Sequence, residues 1–121
     1  MQSLFGVLEQ YVSIPVGIEA LALIRDDGEV VASAGRNEES LRMAASFLIG
    51  LQQLGDRLAE ETGRGETTQI LIAGKSGHLA VTRVGDRHTL LACTSAQAPM
   101  GVVAHDMKWW AKELRPMLGG R

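Results

Sequence analysis

Three short runs constrain this chain more than any other feature: Ala20 to Ile24 (ALALI), Ile70 to Ala73 (ILIA) and Leu90 to Cys93 (LLAC). None of them alternates polar with apolar residues. A strand covered on one face alternates, whereas a strand covered on both faces reads as a continuous apolar run. The runs therefore predict a sheet buried between two layers, and the rest of the chain must supply the covers. With 121 residues, 45% apolar and 21% charged, the chain suits one globular core. Residues 1–121 read as a single domain without repeat, linker or low-complexity stretch.

Three helical segments can provide the covers. Leu4, Val7, Leu8, Tyr11 and Val12 recur at three- and four-residue steps, which predicts an amphipathic helix over 3–13, ended by Pro15 and Gly17. Asn37 is placed to cap a second helix, with Glu38 and Glu39 at the positive end of its dipole. That helix runs to about Thr62 and stops at Gly63 and Gly65. Pro99 opens a third, PMGVVAHDMKWWAKELRPML, which frays near Pro116 and closes at Gly119-Gly120. Between the first two helices, apolar runs flank Asp27-Gly28, a hairpin signal, giving strands at about 18–25 and 29–34. TQILIAG (strand 67–74), HLAVTRV and HTLLACTS, separated by KSG and GD, read as a three-strand meander. The order is helix-β-β-helix-β-β-β-helix, an α+β arrangement with antiparallel strands within each group.

Candidate chemistry dissolves on inspection. Gly74-Lys75-Ser76 matches the tail of a phosphate-binding loop, but the leading glycine falls on Gln69 and a strand follows where a helix is needed. The esterase elbow fails at His78, which stands where glycine is required. DDG at 26–28 lacks the ligand spacing of a calcium loop. His78, His88 and His105 are scattered and read as surface or satisfied structural residues, with no metal-ligand spacing. Cys93 reads as a buried small hydrophobe. Asp26-Asp27 and Glu60-Glu61 read as turn and helix-surface charges. No cofactor and no enzymatic activity are expected. A net charge of −2 argues against nucleic acid as a main partner. The lone cysteine suits a reducing compartment. The N-terminus contains Glu9 and no basic region, and no run is long enough to span a membrane, so a soluble cytoplasmic protein is expected.

The central helix does not suit a monomer. Projected at 100° per residue, Arg42, Ser46, Gln53, Asp56, Arg57 and Glu60 occupy about 100° of arc, and apolar residues spread over roughly 200°. A helix lying on one sheet needs a stripe of little more than about 100°. The surplus face, Met43-Phe47-Gly50-Leu54, predicts a protein contact, most simply with a second copy about a twofold axis. Gly50 lets another backbone approach closely. The strand after this helix is a candidate exposed edge that pairing with its copy would remove. Of Trp109 and Trp110, one is expected in the core and the other at a rim.

Together, GIEALALIRDDGEVVASAG, an Ala- and Leu-rich helix, and GRGETTQILIAGKSGHLAVTRVGDRHTLLACTSAQAPMGVVAHDM resemble the Roadblock family of small domains related to dynein light chains. The resemblance covers about residues 4 to 118. It implies a five-stranded antiparallel sheet with one helix on one face and two on the other. It also implies dimers formed through the central helix and third strand, giving a continuous ten-stranded sheet. The dimer residues would be Met43, Phe47, Gly50, Leu51, Leu54, Thr68, Ile70, Leu71 and Ile72. The resemblance further implies a regulatory or scaffold role with a small Ras-like GTPase as partner, met through Arg42, Ser46, Gln53 and Arg57. Two other readings compete: a small-ligand sensor or signalling module of similar fold, which requires an enclosed apolar pocket with converging polar groups, and an enzyme, which requires an assembled constellation.

Overall fold

The β1–β2 hairpin turns where the sequence places it. The structure, a computed structural model, describes residues 3–14 and 16–119 and their side chains apart from that of Glu38. The expectations for Pro15, Gly120 and the Glu38 carboxylate lie outside the described residues. β1 (Ile18–Arg25) and β2 (Val30–Gly35) pair antiparallel around the Asp27-Gly28 turn. Gly28 there adopts φ 89°, which glycine accepts without steric cost. The meander forms β3 (Gln69–Ala73), β4 (His78–Val84) and β5 (His88–Thr94). Among the described residues these make one five-stranded sheet in the order β2-β1-β5-β4-β3, antiparallel throughout. β1 and β5 are central, and β3 is an edge.

Three α-helices cover the sheet as the two-sided runs of β1 and β5 require, but ILIA departs from that expectation: β3 is an edge strand on which Leu71, Ile72 and Ala73 are exposed. α1 (Leu4–Ser13) and α3 (Met100–Leu114) lie on one face, where Leu8, Leu21, Leu23, Leu90, Met107 and Leu114 form the larger core cluster. α2 (Glu38–Glu61) covers the other face over Ala20, Ala22, Ile24, Val81 and Leu91. The alternation of each strand divides its residues between these cores: Leu21 and Leu23 go one way, Ala20 and Ala22 the other. Trp110 is buried and stacks on Tyr11 with ring centroids 4.5 Å apart, while Trp109 is exposed, which divides the pair as expected. Past Arg115 the chain tightens into a 3-10 turn through Leu118, at Pro116.

Two local expectations are corrected. Asn37 does not cap α2 with its side chain. It sits in the left-handed region at φ 57°, whereas a capping side chain needs extended backbone to reach the first free amides. Asn37 instead accepts the Ser40 N–H on its carbonyl at 3.0 Å. β3 is also shorter than the expected 67–74, because Thr67 is held by α2 and Gly74 turns, its N–H bonding the Gly77 carbonyl at 2.9 Å.

Candidate functional site

α2 presents three arcs, set by its sequence. Leu41, Ala45 and Leu48 are buried against the sheet, with Leu51 and Ala44 partly buried beside them. Next to that arc runs an apolar stripe left in the open: Met43 is 74% exposed, Phe47 77%, and Leu54 and Leu58 are exposed as well. Gly50 lies in the same stripe, and nothing approaches within 4 Å of where its Cβ would stand. The third arc is polar. Arg42, Ser46, Gln53 and Arg57 are all exposed there. Arg42 Nη2 donates to Ser33 Oγ at 3.3 Å, and Ser46 Oγ donates to the Met43 carbonyl at 2.7 Å.

The stripe does not end at the helix. An apolar cleft of about 300 Å³ runs from Phe47 and Leu51 across to Ile72 and Leu79. It joins the stripe to β3, whose outer edge has no neighbouring strand. Thr68, Leu71 and Ile72 are exposed, while Ile70 is partly buried and packs inward under α2. Of the nine residues expected at a dimer contact, the structure brings all onto α2 or the β3 segment, with Leu51 and Ile70 turned toward the core. Sequence reasoning left out Leu58, although its spacing of four from Leu54 was a usable signal.

A polar clamp fixes β3 beside α2. Thr67 donates its N–H and its hydroxyl to Asp56 Oδ1 at 3.0 and 2.6 Å, and Arg83 Nη2 donates to Asp56 Oδ2 at 2.7 Å. The Thr67 bonds, and then Arg83, hold the Asp56 carboxyl below its ordinary pKa. The clamp ties the helix to both β3 and β4, across 11 and 27 positions of chain. Asp56→Ala removes charge-assisted bonds and leaves Arg83 unpaired, an expected loss of about 1–2 kcal/mol in urea unfolding. Because the native pKa is lowered, this contribution is present above the unfolded carboxylate range and fades as pH falls through the native value. Wild type and Asp56→Ala should therefore converge in stability at low pH.

The remaining candidates come apart in space. Lys75 and Ser76 lie in an exposed turn at the end of the β3–β4 hairpin. Cys93 is half-buried rather than buried; burial, and then Glu19, push its thiol pKa up, the reverse of an activated nucleophile. Asp27 is a turn charge, paired with Arg25 and accepting the Glu29 N–H at 3.0 Å. His105 is exposed, and His78 Nε2 lies 3.2 Å from the Ala96 carbonyl. His88 departs from its expected satisfied state: it is only 5% exposed, and its Nε2 has no partner among the described residues. Burial, and then Arg25, lower its pKa. Among the described residues no group of three or more His, Cys, Asp or Glu is placed to hold a metal, and no helix is long and apolar enough to cross a membrane.

The arrangement is that of a small α+β domain whose conspicuous surface is an uncovered apolar face beside an open sheet edge. The chain belongs to the Roadblock/LC7 domain family, whose pattern it matches over residues 7–95. Its structure is similar to a Roadblock/LC7 domain from Streptomyces avermitilis, at 24% identity over 97% of this chain and 98% of that one, with a TM-score of 0.85. It is similar to Myxococcus xanthus MglB, at 21% identity over 97% and 95%, with a TM-score of 0.84. An MglB described with a tetrameric arrangement is also similar, at 22% identity over 91% and 83%, with a TM-score of 0.80. At these identities the likenesses establish the fold. No curated protein matches the chain in sequence.

Proposed function

We propose that this chain is a non-enzymatic, cytoplasmic regulatory or scaffold protein that acts as a homodimer and binds a small Ras-like GTPase. The observation that carries the proposal is the continuous apolar surface running from Met43, Phe47 and Leu54 to the free edge of β3. A twofold axis through this surface lays α2 against its copy, with Gly50 permitting close approach. The same axis pairs β3 with β3, so that two five-stranded sheets become one and no edge remains at the junction. Family membership and the oligomeric MglB relative support this reading. The lone thiol of Cys93 suits the reducing cytoplasm.

In such a dimer, Arg42, Ser46, Gln53 and Arg57 from both copies border the axis and form the surface for the GTPase. The sensor alternative needs polar groups converging on an apolar pocket. The cleft at Phe47 and Ile72 is apolar throughout its lining and open to one side.

The test is binding to a small GTPase encoded beside this chain, measured for its GDP- and GTP-loaded forms, together with its hydrolysis rate. Binding that favours one nucleotide state is expected. Arg42→Glu with Arg57→Glu should weaken it by at least about tenfold, chiefly through association rate, and leave the dimer intact. Absence of both binding and altered hydrolysis would overturn the GTPase reading.

A further inference from the structure

A second cleft, of about 400 Å³, lies on the other side of the sheet from α2, between the β4–β5 turn and residues 115–118. Its charged lining is Arg87, Arg115 and Asp86, with His88 beside them. The guanidinium groups of Arg87 and Arg115 form no hydrogen bond or ion pair among the described residues. Arg25 on the adjoining strand is different, because Asp27 and Glu29 already bind it. The Arg115 side chain lies along Gly85, its Nε 3.6 Å from where a Cβ on that glycine would stand. His88 forms part of the wall, shielded from water.

We propose that this cleft binds a compact phosphate-type dianion held by Arg87 and Arg115. Among the described residues, two guanidinium groups without a partner and one carboxylate, Asp86, line the cleft, and the planar forks match the oxygens of a tetrahedral anion. The anion also alters the surroundings of His88. Arg25 from β1, Asp26 and Asp27 from the next turn and Arg87 from the β4–β5 turn act on His88 electrostatically, and Asp86 and Arg115 line the cleft beside it. Burial and the arginines disfavour imidazolium there, and a bound dianion offsets the arginines' share. Binding of a permanent dianion is therefore tighter at low pH, and it raises the His88 pKa in return.

The experiment is an amide NMR titration of the whole chain with sodium phosphate at constant ionic strength, with sodium chloride as reference. Amides at 85–89, 115, 117 and 118 should shift saturably, with half-saturation below about 10 mM. Those at 75–77, at the opposite end of β4, should stay in place. Arg87→Ala and Arg115→Ala should each weaken binding at least about fivefold, and Lys75→Ala should leave it unchanged. Sulfate, a dianion at every pH used, should raise the His88 pKa by about 0.5 or more. Glycerol phosphate binding as well as inorganic phosphate identifies the source as a phosphoryl group on a small molecule; a preference for the inorganic ion identifies the free anion. Shifts that do not saturate, that chloride reproduces, or that survive both arginine substitutions overturn the proposal.

Discussion

Phe47→Asp should convert a dimer into a monomer in sedimentation at about 10 µM, with folding unimpaired. Phe47 is 77% exposed in the single chain, so the substitution creates no cavity in the core. In the proposed dimer two copies of this ring are buried, each contributing about 2 kcal/mol of apolar transfer. Losing both raises the dissociation constant by roughly three orders of magnitude, before the cost of bringing two carboxylates to one apolar seam. Thermal unfolding of the variant should become independent of protein concentration, whereas that of the wild type should not. A wild-type monomer at this concentration, or a variant that remains dimeric, would remove the apolar stripe from the interface.

Gly35→Ala should unfold the protein more readily than any other single alanine exchange at a glycine. Gly35 has φ 103°, and a Cβ there would lie 2.3 Å from the Glu19 carbonyl oxygen and 2.7 Å from the Ala20 Cα. Both neighbours are backbone of the adjoining strand. They cannot yield without disturbing the β1–β2 ladder and the bond from Arg36 N–H to that same carbonyl, 2.8 Å long. Strain and overlap together should cost about 3 kcal/mol or more, roughly 10 °C in Tm for a chain of this size. Gly50→Ala provides the contrast. With no atom within 4 Å and a mid-helix position, it should stabilise the isolated chain by about 0.5–1 kcal/mol. In the dimer the same methyl group stands where the helices meet, so association should weaken while the monomer gains. Calorimetry and sedimentation on the two variants separate these effects.

The layers were legible because ALALI and LLAC admit few environments: each places alternate residues in two different cores. The exposed apolar stripe was legible for a related reason, since α2 carries more apolar arc than one sheet can cover. What the sequence concealed depends on partners distant in the chain. Asp56 looks like any other charge on the polar arc, and nothing local marks Thr67 and Arg83 as its partners. His88 opens an apolar run, and only the sheet register beside Arg25 and Val84 shows that its ring is enclosed. Asn37 misled because its residue type suits both a cap and a left-handed turn. The choice was made by backbone geometry leaving β2.

The central pairing of β1 with β5 also sets how this molecule must fold. Ala22 lies opposite Leu91, about 70 positions along the chain. The three hairpin pairings and α2 involve near neighbours, so they can close on microsecond timescales. The ladder that joins them must first overcome the entropy of closing a loop that contains the whole of α2 and β3. Folding should therefore be slowed by substitutions at the β1–β5 ladder more than by ones in the β1–β2 hairpin, as refolding kinetics of Ala22 and Ala32 variants would show.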